Sequence, residues 1–206
     1  MASFLSAPWA DPEMPVDEVD FLALDLETTG FDPAKEQVLA AGWVPIRGGV
    51  VDLAGAGAVL VAPEGDVGAS ATVHGLTDDV VAGGESLETA MTEVLAALSG
   101  KVLLAHHASL EVGFLRQACE RLGWGQFATP VVDTLAVQRT LVTSAHRADP
   151  PPGSLRLWTA RSRFGLPAYR AHDPLIDALS CAELFLAQVA ELQGEDPTLR
   201  LKRVLL

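Results

Sequence analysis

Phe21-Leu22-Ala23-Leu24-Asp25-Leu26-Glu27-Thr28-Thr29-Gly30 is the stretch on which the fold turns. Its opening apolar run, leading into two carboxylates, suits a central buried strand. In a strand, residues i and i+2 face the same way, so Asp25 and Glu27 converge. Two carboxylates held together at the end of an apolar strand repel each other and resist desolvation. They must share a proton, recruit cations or open to solvent. A divalent metal is the obvious partner, although a lone D-x-E more often marks a strand that simply ends in water. Further acids are needed to decide between the two.

The rest of the chain has room for such a core. Its 206 residues, 49% of them hydrophobic, fit one ample globular domain. No window approaches the 18 or more uninterrupted apolar residues of a membrane span, and the N-terminus has no basic region before a long apolar one. A soluble, cytoplasmic protein is expected, with no membrane partner. Cys119 and Cys181 lack C-x-x-C spacing and read as buried thiols. The net charge of −13 argues against a protein that coats long nucleic acid by general attraction. Between Arg139 and Arg170, however, six arginines (139, 147, 156, 161, 163 and 170) face one acid, Asp149. A basic flank beside an acidic centre suits an anionic, metal-bound substrate.

Residues 1–18, rich in proline and acid and without periodicity, read as a flexible leader, 19–194 as a single domain and 195–206 as a C-terminal tail. Residues 37–46 and 50–61 look like strands joined at Arg47-Gly48-Gly49. A helix is expected over 86–98, a buried strand over 102–105, and a helix from a Ser109 cap to about Leu122. Val131-Val132 supplies a last strand and 134–141 a helix, followed by a loop over 143–153 with three consecutive prolines. Helices over 154–164 and 174–192 complete the pattern, with Gly194 as the stop signal. Three strands followed by alternating helix and strand indicate an α/β layered domain, a mixed five-stranded sheet covered by helices.

Asp173-Pro174 reads as an N-cap followed by proline at the first helical position. Asp177 lies one turn in, beside an apolar stripe and at the positive end of the helix dipole. Because the helix starts between them, His172 and Asp177 can point towards one site. Glu111 follows the expected Ser109 cap closely and shares a side with Leu115, Ala118 and Leu122. Singly, each acid reads as a favourable helix-end charge. Chance rarely supplies all of them in this order: D-x-E on a strand, an acid at a helix start after His106-His107, then His-x4-Asp at another helix start.

In that order the sequence resembles the DEDDh (DnaQ-like) 3'-5' exonucleases, the group that includes the proofreading epsilon subunit of bacterial DNA polymerase III and oligoribonuclease. Asp25 to Gly30 resembles the family's first motif, Leu104 to Leu115 the second, and His172 to Asp177 the third. His74-Gly75-Leu76-Thr77 resembles a segment the family places beside the terminal nucleotide. The resemblance implies a ribonuclease H-like layered fold, with residues 19–194 as the exonuclease domain. It also implies two ions per site, Mg2+ or Mn2+, with Asp25, Glu27 and Asp177 holding one, and Asp25 helped by Glu111 the other. His172 would be the general base. Thr28, Thr29, Gly30, His74, Gly75, Leu76 and His107 would contact substrate, with Arg156, Arg161, Arg163 and Arg170 as weaker phosphate contacts.

The implied activity is hydrolysis from the 3' end of single-stranded DNA or short RNA, releasing nucleoside 5'-monophosphates. DNA repair, proofreading and a DNA polymerase subunit as partner belong to the same resemblance, although the short stretch after the last helix favours a free-standing enzyme. The second motif departs from the family: His107 stands for asparagine, Leu110 for an aromatic residue and Glu111 for aspartate. Glutamate keeps the charge but reaches about 1.5 Å farther, which a water-bridged ligand absorbs and which implies a shift towards manganese. The alternative from another class is a non-catalytic exonuclease-fold module that docks a polymerase or a nucleic-acid end.

Overall fold

A computed structural model describes residues 9–146 and 149–206. Its strands are β1 (Phe21–Thr28), β2 (Val38–Arg47), β3 (Val50–Val51), β4 (Gly57–Leu60), β5 (Val102–Ala105) and β6 (Val131–Asp133). Its helices are α1 (Ala71–His74), α2 (Asp78–Val81), α3 (Leu87–Leu98), α4 (Ser109–Arg121), α5 (Thr134–His146), α6 (Leu157–Arg163) and α7 (Pro174–Glu195).

The apolar run in β1 lies near the middle of the sheet because both of its faces are covered. Phe21 and Ala23 point into a core shared with α5 and α7, where Phe21 meets Phe185 edge to face at 4.8 Å. Leu22, Leu24 and Leu26 point the other way, into a core shared with α3 and α4. The sheet order is β3-β2-β1-β5-β6, with β4 also paired to β2. β1 runs antiparallel to β2 and parallel to β5, and β5 runs parallel to β6. The sheet is therefore mixed, and the C-terminal ends of β1, β5 and β6 open on one edge.

The sheet has six strands rather than five. The expected strand over 50–61 divides at a 3-10 turn, Leu53–Gly55, in which the Ala54 amide donates to the Asp52 carboxylate. Other differences have equally local causes. Gly194 lies inside α7, which continues to Glu195. The stop comes from Pro197, which forces Asp196 into extended backbone. Ser109 is the first residue of α4, and Ala108 occupies the cap position without a side-chain bond. α6 starts only at Leu157, because 151–156 closes into a turn in which the Ser154 hydroxyl donates to the Pro151 carbonyl. α5 runs on to His146, taking up part of the loop expected over 143–153; residues 147 and 148, and with them Arg147, lie outside the described residues.

Residues 1–8 of the expected leader also lie outside the described residues. Its described part is not loose. The Val16 amide donates to the Leu199 carbonyl, the Leu201 amide donates to the Met14 carbonyl, and Val16, Leu201 and Val204 are buried. The tail then reaches the sheet edge, where the Leu206 amide donates to the Val131 carbonyl. No helix among the described residues is long and apolar enough to cross a membrane.

Candidate active site

Asp25 and Glu27 occupy the end of β1 on the face covered by α7. What brings α7 so close is Gly42 on β2, paired with Asp25 across the ladder. A Cβ at Gly42 would lie 2.2 Å from the Pro174 carbonyl carbon and 2.3 Å from the Leu175 amide, so only glycine lets the helix start rest on the strand. The start itself is fixed locally. The Asp173 carboxylate accepts from the Leu175 and Ile176 amides, and Pro174 follows at the first helical position.

Asp177, 9% exposed, is thereby lowered towards Glu27, and its Oδ2 accepts from the His172 amide at 2.8 Å. His172 adopts a left-handed backbone (φ 68°), which turns the chain so that its imidazole faces the same acids. Ligand atoms of Glu27, His172 and Asp177 all lie within 4.8 Å of one another. Glu111, on the first turn of α4, is 3% exposed and lies close enough to Asp25 for the two charges to interact.

Two buried carboxylate oxygens in this group, Glu111 Oε2 and Asp177 Oδ1, have no hydrogen-bond partner. Burial pushes the Asp25 carboxyl well above the usual range, reinforced by the charges of Glu111, Asp177, Glu27 and Asp173. Burial, then Asp177 and Asp173, raises Glu27 to about 7. Glu111 is raised to about 8 by burial, with Asp133 adding to it against a backbone hydrogen bond. Asp177 is also raised by burial, an effect opposed by the bond and charge of His172. Such a cluster is in want of positive charge.

These shifts fix a sign. The folded chain holds protons that the unfolded chain releases above about pH 4, so stability falls as pH rises from there until about 7 to 8, where Glu27 and Glu111 ionise in the folded chain too. In chelator, the melting temperature is expected to decline from about pH 5 to about pH 8, and Glu111→Gln should flatten the decline. A divalent ion should raise the melting temperature most at the alkaline end. A melting temperature that instead climbs across this range in chelator would contradict the cluster as described.

Residues 22–185 match the RNase_T family model, described as an exonuclease family. The chain belongs to that family. Among relatives of this exonuclease domain, DNA polymerase III PolC-type of Thermotoga maritima is 29% identical over 171 residues, covering 82% of this chain and 12% of that protein. A DNA polymerase III subunit epsilon-like protein of Rhodobacter capsulatus is 29% identical over 188 residues, 90% of this chain and 26% of that one. The chain thus spans only a small part of the length of these relatives. Among solved structures, cell-death related nuclease 4 superposes with a TM-score of 0.72 at 12% identity, over 88% of this chain and 66% of its own. Exonuclease I of E. coli in complex with a dA16 oligonucleotide gives 0.70 at 16% identity, over 86% of this chain and 42% of its own.

The remaining expected positions lie on the loop after β1, at the end of α1 and just before α4. Thr28 donates to the Gly30 carbonyl at 2.7 Å, and the Thr29 hydroxyl is fixed by Glu36 and by the Gln37 amide, so the loop after β1 is held in one shape. The His74 imidazole lies close enough to His172 for charge repulsion to lower its pKa, second to burial. Its Nδ1 accepts from the Leu76 amide at 3.1 Å. Gly75 has φ 74°, which ends α1 and turns the chain back beside the site. His107 is exposed with φ 74°, a left-handed position that histidine shares with asparagine, and its amide donates to Asp133.

Arg161 is buried away from any phosphate, and Arg163 is already paired with a glutamate. Arg161 is 1% exposed; it donates to Glu183 and to the carbonyls of Ser180 and Pro167, tying α6 to α7. Arg163 is bidentate to Glu191. Gly42 and Asp133 were not expected from the sequence. A glycine inside the apolar strand Val38–Arg47 signals a close backbone approach, whereas Asp133, whose Oδ1 receives the His107 and Leu135 amides, carries no such signal.

Proposed function

We propose that this domain hydrolyses phosphodiester bonds from the 3' end of single-stranded DNA or short RNA, releasing nucleoside 5'-monophosphates with two Mg2+ or Mn2+ ions. The observation that carries this reading is the convergence of Asp25, Glu27, Glu111 and Asp177 from three elements, with two of their buried oxygens unpartnered. The donor set fits hard divalent cations: all-oxygen, anionic, and held on a strand and two helix starts. Asp25, Glu27 and Asp177 would hold one ion, and Asp25 with Glu111 the other. When bound, such ions stabilise charge on the attacking and leaving oxygens of an in-line displacement.

The chain's own residues supply the rest. His172, exposed beside Glu27 and Asp177, would accept the proton of the attacking water. The fixed loop Thr28 to Gly30 would hold the terminal nucleotide through backbone groups, and Leu76, pre-set by His74, would offer an apolar surface to its base. His107 would contact the strand from the α4 side. An acidic protein can do this, because the ions bridge its carboxylates to phosphate. The polymerase and epsilon-like relatives support a role beside a DNA polymerase in proofreading or repair.

The experiment is a 5'-end-labelled oligonucleotide, as DNA and as RNA, with Mg2+ or Mn2+. A ladder shortened from the 3' end, with 5'-monophosphates released, is expected. Full-length product with both ions would leave the docking-module alternative instead.

A further inference from the structure

One part-buried histidine is not used by the chemistry above. β1 and β5 pair as far as Ala23 with Leu104, so His106, just after β5, reaches the level of Asp25. Both of its ring nitrogens are engaged: Nδ1 with the Thr134 hydroxyl at 2.8 Å and Nε2 with the Leu155 carbonyl at 2.9 Å. A carbonyl only accepts, so Nε2 carries the proton and Nδ1 accepts from threonine. Burial holds the imidazole neutral, with a pKa of about 4. The anchor behind it is rigid. Thr134 is fully buried, its hydroxyl lies 3.6 Å from Cys181 Sγ on α7, and its carbonyl accepts from Gln188.

His106 thus fastens the α5–α6 connection to the edge of the sheet that carries the acids, and the next residue after Leu155 is Arg156. Arg156 is exposed, in extended backbone, with no ion pair among the described residues. Its neighbours Arg161 and Arg163 are taken up by glutamates. Arg156 thus follows directly on the carbonyl that His106 holds, at the level of Asp25 in the sheet register.

We infer that Arg156 contacts a backbone phosphate upstream of the scissile bond, and that His106 is the positioning residue that holds it there through the Leu155 carbonyl. Arg156's role presupposes the exonuclease reading. Two substrates separate the two ideas: a single-stranded oligonucleotide, and a nitrophenyl ester of thymidine 5'-monophosphate, which has one phosphodiester and no upstream phosphate.

On the oligonucleotide with Mn2+, Arg156→Ala should raise KM about tenfold with little change in kcat. It should also lower the slope of log KM against log salt by about 0.7, the value of one phosphate on a single strand. On the ester the penalty should shrink to below about twofold, because the contact has nothing to meet. His106→Ala should reproduce the KM and salt-slope changes, add little to Arg156→Ala, and be rescued by His106→Gln, whose amide nitrogen can donate to Leu155. Arg203→Ala, an equal charge change near the far end of α7, should leave the slope alone.

An Arg156→Ala protein with the parent's KM and slope would overturn the proposal; since Arg156 is exposed, this result does not depend on whether the histidine variant folds. A His106→Ala protein that loses kcat at unchanged slope would overturn the positioning role. If the parent cleaves neither substrate, the exonuclease reading fails and this proposal with it.

Discussion

Asp25→Asn is expected to lower the cleavage rate about a thousandfold or more while making the metal-free protein more stable. The two effects have opposite signs because they come from different states. Asp25 feels the charge of all the others: its pKa is raised by burial and then by Glu111, Asp177, Glu27 and Asp173 in turn. Without cations its charge is a liability to the fold, and an amide of the same shape removes it. With cations it is the one ligand that both ions would share, so its loss weakens both sites together. The melting temperature in chelator near pH 8 should rise by several degrees, each kcal/mol being worth about 2–4 °C in a chain of this length. The stabilisation that Mg2+ or Mn2+ gives the parent should largely vanish. Rate assays and thermal melts with and without the ions measure both. A variant that is less stable in chelator, or that keeps more than about a tenth of the activity, would mean that Asp25 is not at the centre of the site.

Gly42→Ala should be nearly as damaging, although Gly42 carries no functional group. Its new methyl would meet the Pro174 carbonyl carbon at 2.2 Å, the Leu175 amide at 2.3 Å and the Pro174 oxygen at 2.4 Å, where ordinary contact begins at 3.4 Å. These are backbone atoms, so no rotamer change relieves the clash, and the start of α7 must retreat by about 1 Å. Overpacking of this kind costs about 1–3 kcal/mol. The larger consequence is at the site: Asp177 and His172 move with the helix start, and a misplacement of about 1 Å is worth roughly a hundredfold in rate. A fall of both melting temperature and kcat, with a smaller ion-induced stabilisation, is the expected result. Parent-like values for both would show that α7 does not rest on β2 through this glycine.

These two residues also mark what was legible along the chain. Asp25 and Glu27 are two apart on a strand, Asp173-Pro174 sets the start of α7, and Glu111 lies in the first turn of α4; each follows from local periodicity or capping. Gly42 lies within an apolar strand, and what it admits is a helix more than a hundred residues later. Arg161 and Arg163 looked like free cations in a basic segment because their partners, Glu183 and Glu191, come from a different helix. The leader read as flexible because it lacks periodicity, yet it hydrogen-bonds to the tail, and Val16, Leu199 and Leu201 are buried together. The sixth strand was hidden for the opposite reason: residues 50–61 read as one run, and only the turn at Leu53–Gly55 divides them.

By itself, then, the sequence determined the layered α/β class, the family motifs in their order and the acids at element ends, because these depend on spacing over a few residues. Only the tertiary structure decided how near those acids stand, which arginines remain free, and that His106 ties the segment bearing Arg156 to the edge of the sheet. Those depend on which backbones can approach each other, and that is settled by packing between residues far apart in the chain.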